Sequence, residues 1–230
     1  METALLAGWL AGGVHVLSGA DHLAALAPLS VEAGRRAWRA GLRWGLGHSL
    51  GVLIVGGAAF LLRGALDIDS ISGWGERLVG IVLIGLGLWG FRRLSRNRLH
   101  SHTHDHAGRA HAHFHVHGPE AGHESPQAHR HSHAAFFVGT LHGIAGTSHL
   151  FGLLPALALP TPGATLSYLA GFGGGTIVAM TLFAGILGWA TPRRSEQGLR
   201  VYRGLLAAAS SLTLLVGLGW LLPTLGIPLR

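Results

Sequence analysis

Six apolar stretches of membrane-spanning length, separated by basic or polar breaks, restrict what this chain can fold into. They run Leu5–Leu29, Trp44–Leu62, Leu78–Phe91, Ala134–Leu159, Ala164–Ala190 and Gly204–Leu222. The first holds one charged residue, Asp21, and the second holds none. The third has only 14 residues and spans comfortably only if Ile71–Arg77 continues its helix, with Glu76 and Arg77 near the interface. A backbone in hydrocarbon must satisfy its own hydrogen bonds, so the expected fold is an all-α membrane protein of six transmembrane helices. With 49% apolar residues, 37 glycines and 12% charged residues, the chain has too little polar surface for a soluble enzyme. Met1, Glu2 and Thr3 lack the basic start of a signal peptide, so the first apolar run reads as a retained span.

Between the third and fourth stretches the character changes. Residues 92–133 carry 12 of the 17 histidines, largely as His-x-His. His100, His102, His104 and His106 form one run, and His111, His113, His115 and His117 form another. This segment is too polar to bury and too repetitive to pack, so it is expected to be a disordered loop. Such tracts bind transition metals with low selectivity, which suits buffering, sensing or feeding a channel mouth. The alternative is a solvated linker whose composition has drifted.

The formal charge of +7 has a location. All 17 basic residues are arginines, and they cluster after every odd-numbered span: Arg35, Arg36, Arg39 and Arg43; Arg92, Arg93, Arg96 and Arg98; Arg193, Arg194, Arg200 and Arg203. The positive-inside rule then puts these loops, and the histidine segment, in the cytosol, with both termini outside. The charge thus reads as membrane-flanking and no nucleic-acid partner is expected. With no cysteine there is no disulfide, thiolate metal site or cysteine nucleophile.

A shift of 127 residues lays residues 12–28 on 139–155 with seven identities. Gly12 meets Gly139, His15 meets His142, Gly19 meets Gly146, and His22 meets His149; Leu23, Leu26 and Pro28 meet Leu150, Leu153 and Pro155. Asp21 faces Ser148. At an offset of 126, Gly45-Leu46-Gly47 echoes Gly171-Phe172-Gly173. Three spans per copy is an odd number, so the second copy is expected upside down. The chain then divides into a first repeat (1–91), the histidine loop (92–133) and a second repeat (134–230). Inverted repeats are common in secondary transporters, whose sites lie near the midplane at interrupted helices. Duplicated glycines for helix packing alone are the competing explanation.

Five histidines lie outside the loop, and four of them pair in the repeat. His15 and His22 are seven residues apart, which is about 10 Å along an unbroken helix. Either the helix opens around Ser18-Gly19-Ala20 or the two serve different points on a pathway. Asp21 in hydrocarbon requires a partner or a role. His48, in Gly-Leu-Gly-His-Ser, is either a ligand or a packed, hydrogen-bonded histidine. Ser148 and Thr176 read as packing or hydrogen-bonding residues. Imidazole with carboxylate and no thiolate suits Ni2+, Co2+ or Zn2+.

Gly-x-x-His-x5-Asp-His-Leu in the first span and Gly-x-Gly-His-Ser in the second resemble the nickel/cobalt transporter superfamily, including its urease-accessory-like membrane branch. The resemblance covers both repeats. It implies a bacterial inner-membrane permease for Ni2+ or Co2+, with His15, Asp21 and His22 central to recognition.

The leading expectation is a secondary transporter of divalent metal ions through a site lined by His15, Asp21, His22, His48, His142 and His149. Its partners would be the lipid bilayer, the ion and, as a candidate, a cytosolic metallochaperone. No tightly held cofactor is expected. The chain has no lysine and so no Walker-type phosphate loop, and it reads as no enzyme. Two alternatives stay open: an intramembrane zinc hydrolase, and a non-transporting accessory protein that holds metal for a nickel enzyme. A related branch moving anions is a further possibility.

Overall fold

The computed structural model describes residues 1–61, 68–96, 99–106, 109–116, 131–145, 152, 155–156, 158–192 and 196–225. In chain order these form α1 (Glu2–Ser18), α2 (Ala20–Ala33), a 3-10 turn (Gly34–Arg36), α3 (Ala37–Leu61), α4 (Ile68–Arg96), β1 (Leu99–His106), β2 (Arg109–Val116), α5 (His131–Ala145), α6 (Pro162–Trp189) and α7 (Glu196–Thr224). The described residues of the apolar runs are largely helical, as hydrocarbon demands.

Three helical segments, Glu76–Ser95, Pro162–Trp189 and Gln197–Thr224, are long and apolar enough to cross a membrane. The first of these contains the stretch expected to be shortest. The first expected span is not one helix. It breaks at Gly19, where α1 and the helical run beginning at Ala20 are bent by 73°. Counted together, that pair makes a fourth candidate span, and Ala134–Ile144 is a shorter apolar helix. Among the described residues, up to four spans of the six expected meet that length and composition, which supports a membrane protein. Large apolar side chains face outward, among them Leu6, Leu10, Val14 and Leu17 on α1 and Leu182, Ile186 and Trp189 on α6. That exterior suits lipid and not water.

The helices pair in a reciprocal pattern: α1 on α6, α3 on α5, α4 on α7, and α3 on α6. Two of these contacts bring backbone against backbone. A Cβ at Gly8 or Gly12 would fall on the carbonyl oxygens of Tyr168 and Phe172, and one at Gly171 or Gly175 on those of Leu5 and Trp9. In the same way, a Cβ at Gly47 or Gly51 would meet the carbonyls of Phe136 and Thr140, and one at Gly139 or Gly143 those of Trp44 and His48. Small residues four apart on both partners allow this approach, which replaces the missing hydrophobic drive between helices in lipid. Around them, Val16, Leu26, Trp44, Leu83, Met180 and Ala184 form the main apolar cluster.

Pro28 lies inside α2 and cannot donate to the carbonyl of Ala24. Thr213 on α7 places its Oγ1 2.6 Å from that oxygen. A helix from the second half thus brings a donor to the carbonyl that the proline leaves open, its one proton shared between that oxygen and Ala209 O at 2.7 Å.

The segment expected to be disordered is partly ordered. β1 and β2 pair antiparallel, with His100 opposite His115, His102 opposite His113 and His104 opposite His111. A strict His-x-His alternation carries the two-residue period of a strand, which explains the hairpin. His117 lies outside the described residues.

Replacing Gly175 by leucine should splay α1 from α6 and lower stability by about 2 kcal/mol or more, read as thermal denaturation in detergent. Gly13 meets nothing within 4 Å, and Gly13→Leu should leave the midpoint unchanged or higher.

Candidate metal centre

Gly19 makes the site. It ends α1 and starts α2 in an extended conformation, φ −81° and ψ 98°. Any residue can adopt that backbone, but the space is another matter: a Cβ there would fall on Nδ1 of His22. The break folds the chain so that the rings of His15 and His22 come within 4.7 Å, centroid to centroid. An unbroken helix would hold them about 10 Å apart. Of the two arrangements open from sequence, the interrupted helix is the one observed.

Asp21 bridges two imidazoles. Its Oδ1 lies 3.0 Å from His22 Nδ1 and its Oδ2 lies 3.2 Å from His142 Nε2. His142 is on α5, so this carboxylate links the two halves of the chain. A buried carboxylate costs several kcal/mol unless paired, and both of its oxygens here face a ring nitrogen. The same geometry orients histidines at metal sites, with a carboxylate fixing the tautomer of a ligand ring.

His48, on α3, closes the cluster. Its ring centroid is 4.9 Å from that of His22, 5.7 Å from that of His142 and 5.9 Å from that of His15. Asp21, His22, His48 and His142 are all buried, while His15 is half-buried. Two overlapping groups have the spacing to hold a metal ion: His15, His22 and His48, and Asp21, His22 and His142. Within each group the potential ligand atoms lie within 4.8 Å of one another, and His22 belongs to both. The donor set is imidazole-rich with one carboxylate, which fits a borderline divalent ion such as Ni2+, Co2+ or Zn2+.

Five of the six expected residues, His15, Asp21, His22, His48 and His142, therefore come together. His149 lies outside the described residues, as do Gly146 and Ser148. Thr176 is buried with its Oγ1 3.5 Å from Gly12 O, consistent with the hydrogen-bonding role expected for it. For the histidines of β1 and β2 only the backbone is described.

Two aromatic walls were missed. Phe172 lies 5.4 Å from His15, ring to ring, and Trp44 lies 6.1 Å from His142. Phe172 sits in the Gly-Phe-Gly echo, which reads as a helix contact; only its position beside a repeat histidine could have flagged it. On one side a crevice of about 10 Å³, lined by His48, Val52, Leu169, Phe172 and Thr176, leads toward the cluster. It has room for no more than one water.

Gly19→Ala should push the His22 ring off Asp21 and weaken Ni2+ binding about tenfold, with little change in thermal stability. Calorimetric titration would measure this in a chain whose histidines between residues 100 and 117 are replaced by asparagine. Unchanged affinity would show that the Gly19 contact does not orient His22.

No family model matches the chain, and no solved structure does. Among curated proteins it is similar to two from Arabidopsis thaliana: Chloroplast protein FOR GROWTH AND FERTILITY 2, 34% identical over 217 residues, and FOR GROWTH AND FERTILITY 1, 33% identical over 218 residues. Each alignment takes in 94% of this chain but only 55% and 58% of the plant proteins. The chain thus spans about half the length of these relatives. It is also similar to Urease accessory protein UreH of Bacillus sp. (strain TB-90), 26% identical over 187 residues, with 80% of this chain and 75% of that protein covered.

Proposed function

We propose that the chain is an integral membrane transporter of divalent transition-metal ions, Ni2+ or Co2+, acting through the His/Asp cluster where two inverted three-helix repeats meet. The observation that carries this reading is the convergence of His15, Asp21, His22 and His48 from the first half with His142 from the second. A site shared by both halves is what alternating access requires, because moving one half against the other opens it to either side. The reciprocal pairing of α1 with α6 and α3 with α5 supports an inverted repeat, since each contact joins the first helical unit of one half to the second unit of the other. Similarity to a protein named for accessory action on urease, a nickel enzyme, supports nickel among the candidate ions.

In this reading the ion replaces the imidazole contacts of Asp21, and His22 passes it between the two ligand groups. The histidine segment holds ions loosely at the cytosolic mouth through His100–His106 and His111–His117. The chain occupies a bacterial inner membrane, spans it six times with the interrupted helices included, keeps both termini outside and catalyses no reaction.

One other reading has a specific observation in its favour. The name of the urease-related protein suits an accessory role in which metal is held and handed on without crossing the membrane. Reconstitution in liposomes separates the two. The wild-type protein should carry Ni2+ to an internal fluorescent chelator, and His22→Ala, which removes a member of both ligand groups, should reduce the rate at least about tenfold. Metal bound at the same stoichiometry with no flux from either protein would favour the accessory role.

A further inference from the structure

A second cavity, of about 600 Å³, lies apart from the histidine cluster on the arginine-bearing face. Four element ends meet there: the last turn of α2 with Leu29, Glu32 and Ala33, the start of α3 with Arg39, Ala40 and Arg43, the end of α4 with Leu86, Trp89 and Arg93, and the start of α5 with Ala134, Ala135 and Val138. Arg36 lines it from the 3-10 turn. Leu29, Leu86 and Val138 also pack on the buried cluster of Leu26 and Trp44, so an apolar layer forms its floor toward the metal centre.

Its charge is one-sided. Four arginines face one carboxylate in the lining. That carboxylate is already engaged: Glu32 accepts from Arg93 Nε at 2.7 Å and from Tyr202 OH at 2.5 Å. Among the described residues Arg36, Arg39 and Arg43 have no carboxylate within ion-pair distance. Three guanidiniums around one cavity repel a metal cation and attract an anion, and their planar forks suit phosphate oxygens.

The occupant must also satisfy the apolar floor. A free phosphate would leave Leu29, Leu86 and Val138 facing water, whereas an amphiphile covers them. The depth agrees, because Trp89 lines the cavity and the Arg39 guanidinium lies 5.4 Å over the Trp38 ring. Tryptophans of this kind settle at the headgroup level of a bilayer. We infer that this cavity is a binding site for an anionic phospholipid, whose phosphate is held by Arg36, Arg39 and Arg43 and whose glycerol and upper acyl carbons lie on Leu29, Leu86 and Val138. Basic recesses between helices on the cytosolic side are a recurrent design for such headgroups. The inference requires a membrane setting but not metal transport.

The test is native mass spectrometry and thermal stability of the purified full chain in detergent. The probes are phosphatidylglycerol, phosphatidylethanolamine and inorganic phosphate. Phosphatidylglycerol should remain bound and raise the melting temperature, and phosphatidylethanolamine should bind at least tenfold more weakly. The triple replacement Arg36→Gln, Arg39→Gln and Arg43→Gln should reduce phosphatidylglycerol affinity at least tenfold. A second triple, Arg92→Gln, Arg200→Gln and Arg203→Gln, removes the same charge outside the cavity lining and should leave affinity within twofold. Arg43→Gln alone, a milder change at a half-buried position, should weaken binding severalfold in a chain that still folds. Equal loss from both triples would mean bulk surface charge alone, and equal protection by inorganic phosphate would mean a phosphate site. Either result overturns the inference.

Discussion

The contacts on which the rest depends are those where α1 meets α6 and α3 meets α5 through facing glycines. Ordinary helix pairs stand about 8–10 Å apart, axis to axis, because side chains separate them. Here Gly8 and Gly12 lie against Tyr168 and Phe172, and Gly139 and Gly143 lie against Trp44 and His48. The last of these does the most for the site. Gly143 rests on the carbonyl of His48, so its neighbour His142 is delivered beside the His48 ring without any loop to position it. The candidate metal centre is thus a consequence of backbone packing between the two halves.

The second constraint is the break at Gly19. A continuous helix would hold His15 and His22 about 10 Å apart and could not have joined them. The interruption brings the two rings together, and backbone opened in this way is tolerated at membrane depth where protein covers it. Pro28 weakens the same helix two turns on, and Thr213 from α7 compensates. The segment with the candidate ligands is therefore held by polar contacts from outside itself: Asp21 against His142 of α5, and the Ala24 carbonyl against Thr213 of α7.

Much of this was legible in residues. Asp21 stood out as a charge in an apolar run, and the shift of 127 residues linked His15 to His142 before any geometry was known. The glycine echo marked α3 and α6 as contact helices. Other features were not legible, for physical reasons. Spacing alone left open whether the first span bends or stays straight, because Gly19 breaks the helix through the room His22 needs and not through its own dihedral preference. Phe172 and Trp44 look like any other apolar residues in a membrane helix, and only their neighbours give them a place at the site. The hairpin at Leu99–Val116 was hidden because its alternation was read as a chemical pattern, when it is also the period of a strand.

If the chain moves metal as proposed, the buried cluster, and not the histidine hairpin, is the defined metal site. Nickel-edge X-ray absorption on the purified chain tests this directly, using protein in which His100, His102, His104, His106, His111, His113, His115 and His117 are replaced by asparagine. The account predicts nickel retained at one ion per chain, with scattering from several imidazoles and an oxygen donor, and loss of that signal in the added His22→Ala variant. Nickel that disappears with the hairpin histidines, or a signal indifferent to His22, would contradict it.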